Sequence, residues 1–267
     1  MDKGSVNEYG PVEVLDEVGS TNAMLMERAL AGAPHGTAIR ARVQTAGRGR
    51  RTHNWASPAG GLYFSMLIKP TVPDRALPGL PVAFGLGVVR ALEGIGCCGI
   101  ALKWPNDVIC AQGKLGGILV ELKRSSGEAL AVCGLGLNLR SVPFEPSDVT
   151  ALPGAGVADC LPADTPLPTL DDLAAAVRTS VLQSIDAWTA AVDAAGEGAA
   201  PLTGIEDSYN ALLAYRGERV NAGAPDGSVS AGGVLAGVDP WGRALVELAD
   251  GTVRAFDAAL VSIRPVR

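Results

Sequence analysis

The chain has 267 residues, of which 48% are hydrophobic, and it carries a formal net charge of −6. This length is enough for one large domain and a smaller one, and the apolar content argues against disorder. The acidic balance gives no general attraction for nucleic acid or an anionic membrane, so any anion site must come from a local cluster of basic residues. The 34 glycines and 18 prolines indicate a turn-rich α/β or α+β protein.

The five cysteines are odd in number, form no C-x-x-C pair and lie in apolar surroundings. They are therefore predicted to be buried free thiols in a reducing cytosol. With only His35 and His53 present, a histidine-rich zinc site is not expected. The N-terminal residues lack the order of a signal peptide, and no apolar run is expected to be long enough to span a bilayer. We expect a cytoplasmic protein that does not associate with membranes.

Apolar periodicity and turn residues divide the chain into helices and strands. The first half predicts a strand at 12–15, a helix from Ser20-Thr21-Asn22 to 31, strands at 37–43 and 61–68, a helix at 80–92, and strands at 100–104, 108–110, 115–122 and 129–139. After a proline-rich connection, the second half predicts helices at 171–195 and 203–215 and short β runs at 219–220, 228–238, 244–248 and 252–256. This order predicts an α+β fold with a mixed, largely antiparallel sheet flanked by helices in residues 1–214. Residues 215–267 are predicted to form a small β-barrel.

The strongest local pattern is the glycine–arginine loop, Gly47–Arg51, in which three arginines stand within four positions. Glycine amides approach anions closely and guanidinium groups bind carboxylate or phosphate oxygens, so this loop is predicted to close over a negatively charged ligand. A solvated basic loop, or a patch that touches RNA, is the open alternative. Gln44 and Trp55 flank the loop and favour a ligand, since one offers hydrogen bonds and the other a ring that can pack on a base.

A second pattern combines Lys103-Trp104-Pro105-Asn106-Asp107 with the glycine-flanked Lys114. The proline fixes a bend, after which Asn106 and Asp107 are predicted to present polar groups to a ribose, an adenine or a magnesium ion. A lysine that opens an apolar strand needs an anionic partner or an outlet to solvent. An edge lysine that reaches solvent is the open alternative for Lys114.

A third pattern is Gly134-Leu135-Gly136-Leu137-Asn138. Alternate glycines on a strand open one face to a flat ligand, and Asn138 supplies a donor and an acceptor. The alternative is that the glycines mark a bulge or tight strand packing. The loop is not a dinucleotide-binding motif, since Thr52 stands where it would need its third glycine. A P-loop is excluded because Leu115 follows the only Gly-Lys pair, and no G-x-S-x-G nucleophile elbow occurs.

In combination, these segments resemble the biotin–protein ligase family. The matching segments occur in family order, and the resemblance covers roughly residues 10–265: Ser20–Asn22, Gln44–Trp55, Lys103–Asp107, Lys114–Glu121 and Gly134–Asn138. It implies a catalytic domain like those of class II synthetases and lipoate ligases in residues 1–214, and an SH3-like β-barrel in residues 215–267. It also implies that biotin and Mg²⁺-ATP give biotinyl-5′-adenylate and pyrophosphate. A lysine of a biotin carboxyl carrier domain would then attack the mixed anhydride.

The resemblance implies roles for individual residues. Biotin would contact Ser20, Thr21, Asn22, Gln44, Gly47, Arg48, Gly49, Arg50, Lys114 and Gly117. The nucleotide would contact Arg50, Arg51, Trp55, Asn106, Asp107 and Asn138, with Asp107 also a candidate Mg²⁺ ligand. Lys114, Arg48 and Arg50 are the expected catalytic residues, because attack of a carboxylate on a phosphate needs fixed cations at the developing charge.

The chain departs from the family in two places. Arg51-Thr52-His53 stands where the bacterial loop commonly continues Arg-Gly-Arg, which we expect to alter retention of the adenylate. About ten residues precede the first predicted strand, too few for the helix-turn-helix of some members, so no DNA binding is expected. A homodimer is left open. Two other functions also stay open: a lipoate or octanoate ligase, and a binding-only sensor of biotinyl-adenylate.

Overall fold

The structure, a computed structural model, describes residues 9–50, 54–141, 152–224 and 228–266. Within these ranges the α-helices are α1 Thr21–Leu30, α2 Leu80–Gly94, α3 Leu170–Ala195 and α4 Glu206–Leu212. The strands are β1 Glu13–Val18, β2 Ala38–Gln44, β3 Gly61–Ile68, β4 Ala101–Lys103, β5 Asp107–Cys110, β6 Gly113–Ser125, β7 Glu128–Asn138, β8 Arg219–Gly223, β9 Val229–Val238, β10 Ala244–Glu247, β11 Val253–Phe256 and β12 Ser262–Pro265. The predicted elements are present with ends that agree within three residues, whereas the sequence does not predict β12.

Seven strands form one mixed sheet in the order β1-β2-β3-β7-β6-β5-β4. Only the β1–β2 pair is parallel, and the other neighbours are antiparallel. The central hairpin β6–β7 turns through Ser126 and Gly127, both with positive φ (50° and 85°), as a two-residue hairpin loop requires. The predicted α+β class is confirmed.

Helices cover both faces of this sheet, which explains why β3 is buried along its whole length. On one face, Leu25 and Met26 of α1 pack with Ile39, Leu67 and Val132. On the other face, α2 and α3 pack on each other and on the sheet, within the larger hydrophobic cluster. The two-sided burial leaves the ends of the strands and their loops as the places where polar side chains gather.

The prediction that no apolar run is long enough to span a bilayer is wrong. The continuous helical stretch Asp74–Gly94 is long and apolar enough to cross a membrane by composition. However, 72% of its most apolar window is buried inside the protein, where α2 packs against α3. This burial is what a core helix shows.

The cysteine prediction holds for four of the five thiols. Cys97, Cys110, Cys133 and Cys160 are buried and free, whereas Cys98 is exposed. Burial raises the pKa of Cys97 to about 11, which keeps that thiol protonated and unreactive.

The predicted small C-terminal β-domain is present, but its sheet is open. Its strands run in the order β11-β10-β9-β8-β12, so that β11 and β12 are opposite edges among the described residues and do not close a barrel. This domain attaches directly to the large sheet. The amide of Ala214, the residue just before this domain, donates to the Leu102 carbonyl (3.0 Å), and the indole N–H of Trp104 donates to the Gly242 carbonyl of the domain (3.0 Å).

The contact between α2 and α3 depends on Gly87. A Cβ atom there would lie 2.5 Å from the Cα of Val181, a backbone atom of α3 that cannot move alone. Gly87→Ala is therefore expected to lower the free energy of unfolding by about 1–3 kcal/mol, measured by urea denaturation.

Gly94→Ala is the matched control in the same helix, because a Cβ there meets no atom within 4 Å. It should leave stability unchanged or raise it by up to about 1 kcal/mol, through better helix propensity. Equal losses in the two variants would contradict this account of the helix contact.

Candidate functional site

Two cavities meet over the large sheet. The first has a volume of about 420 Å³, and the second about 800 Å³. Trp55 and Lys114 line both cavities and so stand at their junction. Most of the residues singled out in the sequence line the first cavity: Ser20, Thr21, Asn22, Gln44, Arg48, Gly49, Arg50, Trp55, Asn106, Asp107, Lys114 and Gly117. Asn138 lines the second, beside Tyr63, Leu139 and Leu170.

Some predicted residues line only the first cavity, or neither cavity. Asn106 and Asp107, expected on the nucleotide side, line the first cavity and not the second. Gly47 lines neither cavity. A Cβ there would lie 2.4 Å from the Trp55 carbonyl oxygen, so this glycine allows the loop to pack on itself. Arg51, with Thr52 and His53, lies outside the described residues.

The start of α1 forms the floor of the first cavity. Ser20 occupies the N-cap position, but its side chain makes no capping bond. The backbone N–H and the hydroxyl of Thr21 both donate to Gln44 Oε1, at 2.8 and 3.1 Å. The amide nitrogen of Asn22 donates to the Leu119 carbonyl at 3.2 Å. These bonds stiffen a floor that is polar and uncharged.

Ser65 is a site residue that the sequence analysis missed. Its hydroxyl is fully buried on β3 and donates to Asn22 Oδ1 at 2.6 Å, and it lies 2.7 Å from Thr21 Oγ1. A buried hydroxyl needs such partners. The available indication was a single polar residue within the otherwise apolar run of β3.

The alternate glycines of β7 make room for side chains of the protein itself. A Cβ at Gly134 would lie 2.3 Å from Asn22 Oδ1, and one at Gly136 would lie 2.5 Å from Trp55 Nε1. These contacts agree with the interpretation of tight packing, whereas the opening of the strand to a flat ligand stays a prediction. The strand packs tightly, and the flat group against it is the indole of Trp55.

Trp55 lies between the two cavities, and its indole nitrogen is buried. Its indole nitrogen is the one buried side-chain polar atom without a hydrogen-bond partner among the described residues. An unpaired buried donor costs about 1–3 kcal/mol, so stability is given up at this position. The Lys114 ammonium lies 5.3 Å from the ring centroid, close enough for a cation–π interaction.

Asp107 is shared by two lysines. Its Oδ1 lies 2.6 Å from Lys114 Nζ and its Oδ2 lies 3.2 Å from Lys103 Nζ, and the carboxylate is 14% exposed. Burial raises the pKa of Asp107, but the attraction of the two ammonium groups outweighs it and holds the pKa below its ordinary value. The carboxylate is therefore ionised at neutral pH.

The same geometry does not fit a magnesium ion at Asp107. Both carboxylate oxygens already accept bonds from ammonium groups, whereas Mg²⁺ needs oxygen ligands in octahedral geometry. The described part of the chain also holds no group of three or more His, Cys, Asp or Glu residues that could bind a metal.

Backbone pairing fixes Lys114 from the other side. Its N–H donates to the Pro153 carbonyl (2.8 Å), and its carbonyl accepts from Ala155 N–H (2.9 Å). A Cβ at Gly113 would lie 2.1 Å from the Pro153 oxygen, so the glycine before the lysine permits this approach. The glycine-flanked lysine is thus not a loose edge residue.

The arginines of the glycine–arginine loop reach different parts of the molecule. Arg48 Nη1 pairs with Glu121 Oε1 at 2.9 Å. Arg50 Nη2 donates to the Ala258 carbonyl of the C-terminal domain at 2.5 Å. Ser262 of β12 also lines the first cavity. The C-terminal domain therefore borders the site, which local sequence patterns did not indicate.

Comparisons with known proteins agree with this arrangement. The sequence profile of the biotin/lipoate A/B protein ligase family matches residues 14–138. The chain is 33% identical over 244 residues to the biotin--[acetyl-CoA-carboxylase] ligase of Paracoccus denitrificans, covering 87% of this chain and 92% of that protein. It is 39% identical over 142 residues to the bifunctional ligase/repressor BirA of Escherichia coli, covering 52% of this chain and 44% of that protein. Against several curated relatives, the match thus spans about half of their length.

A solved structure shows the same likeness across the whole chain. The biotin protein ligase from Aquifex aeolicus in complex with biotin and ATP superposes with a TM-score of 0.75 at 27% sequence identity. The superposition covers 96% of this chain and 99% of that one.

The Asp107 carboxylate predicts a pH-dependent stability. Asp107→Asn should lower the free energy of unfolding at neutral pH by about 1–3 kcal/mol, because two partly exposed ammonium groups lose a shared partner. The folded-state pKa of Asp107 lies below that of the unfolded chain, about 3.9. The contribution is therefore present above that value and is lost as the pH falls through the folded-state pKa.

Urea denaturation at neutral pH and at about pH 3, which lies below the unfolded-state pKa, shows whether this contribution shrinks. Asp16→Asn is the control, since Asp16 pairs with Arg42 at 3.1 Å with a side chain that is 95% exposed. That change should cost less than about 1 kcal/mol. A difference between wild type and Asp107→Asn that is the same at both pH values would be evidence against the ion-pair account.

Proposed function

Because the chain belongs to the biotin/lipoate A/B protein ligase family, we propose that it activates biotin with ATP and transfers the biotinyl group to a protein lysine. The acceptor is a biotin carboxyl carrier domain of a biotin-dependent carboxylase. The observation that carries this proposal is the position of Lys114, whose side chain lines both cavities at their junction. A carboxylate in one cavity and a phosphate in the other would meet at this ammonium group.

The first cavity suits biotin by its distribution of polarity. Its floor, formed by Ser20, Thr21, Asn22 and Gln44, is polar and uncharged, and its other lining residues include three cations, Arg48, Arg50 and Lys114. Biotin has a neutral ureido head and an anionic tail, so the head fits the floor and the carboxylate lies toward the cations. Guanidinium groups bind such a carboxylate through parallel N–H bonds.

The second cavity suits the nucleoside of ATP. Its wall is largely apolar, with Tyr63, Leu139 and Leu170, and carries the amide of Asn138. An apolar slot with a few polar groups is the usual form of a site for a flat heterocycle. From this cavity the phosphates would extend toward Lys114.

The chemistry then follows from charge. A biotin carboxylate oxygen forms a bond to the α-phosphorus of ATP, and the bond to the pyrophosphate oxygen breaks. Both reactants are anionic, so Lys114 and the loop arginines stabilise the charge that develops between them. In the second step, a deprotonated acceptor amine attacks the carbonyl carbon, AMP leaves, and the new amide loses a proton.

Mg²⁺ is proposed to enter with ATP as an ion bound to the phosphates, and not as a ligand of Asp107. Mg²⁺ commonly keeps several waters and binds substrate phosphates, which supports this assignment. The expected absence of DNA binding, the homodimer and the cytoplasmic location stay predictions from the sequence.

The proposed function predicts the behaviour of Lys114. A purified carrier domain incubated with the chain, biotin, ATP and Mg²⁺ should gain one biotinyl group by mass spectrometry. Lys114→Ala should slow this by about 100- to 1,000-fold, the loss expected when one charge-stabilising group is removed. Lys123→Ala, an exposed lysine of the same strand, should behave as wild type.

Competition between free acids distinguishes a biotin ligase from a lipoate or octanoate ligase. Pyrophosphate release should respond to biotin, and an excess of lipoate or octanoate should not suppress it. Pyrophosphate release with lipoate or octanoate, and not with biotin, would contradict the proposal that biotin is the substrate. Binding of biotin without pyrophosphate release would instead point to a sensor.

The assignment of Mg²⁺ has its own test. Asp107→Asn should slow adenylate formation because Lys114 loses its partner. The Mg²⁺ concentration for half-maximal rate should stay within about twofold of wild type, because the ion is bound by phosphates. A change of tenfold or more in that Mg²⁺ concentration would indicate that Asp107 is a metal ligand after all.

A further inference from the structure

Glu121 connects the floor of the first cavity to the glycine–arginine loop. It lies on β6 and uses both carboxylate oxygens. Oε1 pairs with Arg48 Nη1 at 2.9 Å, and Oε2 accepts from the side-chain amide of Asn22 at 2.9 Å. The Glu121 side chain is 31% exposed and that of Arg48 is 42% exposed, so this pair lies at the rim of the site.

The connection continues through the floor and returns to the loop. Successive hydrogen bonds or close polar contacts run through Asn22, Ser65, Thr21, Gln44, Ser57 and the carbonyl of Trp55, with distances between 2.6 and 3.1 Å. The Trp55 N–H then donates to the Gly47 carbonyl at 2.9 Å, next to Arg48. Polar groups linked in this way hold one another in position.

Asn22 has no spare donor in this arrangement. Its two amide hydrogens serve the Leu119 carbonyl and Glu121, and its oxygen accepts from Ser65. An amide group has only two N–H bonds, so a ligand that displaces Asn22 must change its bond to Glu121 or to Leu119. A ligand that moves Asn22 would therefore also act on Glu121.

Arg48 has donors for two anions at once. A guanidinium group carries five N–H bonds, of which the bond to Glu121 uses one. The Nε–H group points to Ser20 Oγ at 3.4 Å, so the guanidinium lies beside the floor of the first cavity. Glu121 therefore keeps the cation near the cavity without preventing it from binding a carboxylate.

We propose that Glu121 is a positioning residue, which keeps Arg48 beside the first cavity and couples occupation of the floor to the position of Arg48. This inference rests on the proposed function, because it takes biotin as the ligand of the floor. Glu121 itself does not line the first cavity and is not expected to touch the ligand.

Trypsin provides a measurement that does not depend on catalysis. The protease must take the Arg48 guanidinium into its own specificity pocket, so pairing with Glu121 slows cleavage after Arg48. We expect Glu121→Gln, which keeps an acceptor for Asn22 but removes the charge, to speed this cleavage by about two- to fivefold. The cleavage product is identified by mass spectrometry, with and without saturating biotin.

Glu121→Ala removes both the charge that pairs with Arg48 and the acceptor for Asn22. Comparison with Glu121→Gln therefore distinguishes the contact with Arg48 from the contact with Asn22. Biotin should slow cleavage after Arg48 in wild type and in Glu121→Gln, and it should do so less in Glu121→Ala, where only direct binding of the carboxylate by Arg48 remains. Asp16→Asn removes the same charge from an exposed ion pair and should match wild type throughout.

Steady-state kinetics distinguish positioning from a general loss of structure. In Glu121→Gln the KM for biotin should rise by about two- to fivefold, and kcat should fall by no more than a similar factor because Arg48 is still present, at a wild-type melting temperature. Wild-type values for both cleavage and KM in Glu121→Gln would overturn the proposal. A wild-type chain that forms no adenylate would instead refute the proposed function, while faster cleavage of Glu121→Gln would still support the positioning role.

Discussion

The ion pairs of Asp107 set the geometry on which the site depends. The ammonium groups of Lys103 and Lys114 lie 3.2 and 2.6 Å from the two oxygens of the Asp107 carboxylate. Two cations so close together repel each other, and the carboxylate between them offsets that repulsion. The surroundings keep the carboxylate in place. Trp104 is tied to the C-terminal domain through the Gly242 carbonyl, and the Lys114 backbone pairs with the segment at 153–155. The large sheet, the hairpin β5–β6 and the C-terminal domain thus converge on the ammonium group at the junction of the two cavities.

The geometry of the site also depends on close packing around Trp55. The indole divides the cavities only because Gly136 leaves no side chain beneath it. Its buried N–H has no partner among the described residues, so this position is costly for stability. The arrangement brings a π face to the Lys114 ammonium, at 5.3 Å. A cation held between a carboxylate and an aromatic ring has a defined location even before any anionic substrate arrives.

The sequence predicted the elements well because helical and strand periodicity is a local property. It also identified most residues that line the first cavity, since their types and spacing are distinctive. It did not predict which cavity Asn106 and Asp107 face, because side-chain direction after a bend depends on pairing between β5 and β6. Ser65 was missed since its partners on α1 are more than 40 positions away. The contact of Arg50 with Ala258 spans 208 positions, and no local pattern reports such a contact.

The two carboxylates of the site differ in a way that matches their tasks. Asp107 is 14% exposed and pairs with a lysine that, in the proposed function, stays fixed through both chemical steps. Glu121 is 31% exposed and pairs with Arg48, which in the same proposal must let the adenylate reach an acceptor lysine. An ion pair at the rim contributes about 1 kcal/mol or less and is screened by salt, so the pair between Arg48 and Glu121 breaks at low cost. Strong pairing at the reacting centre and weak pairing at the loop together allow a stable site with an accessible product.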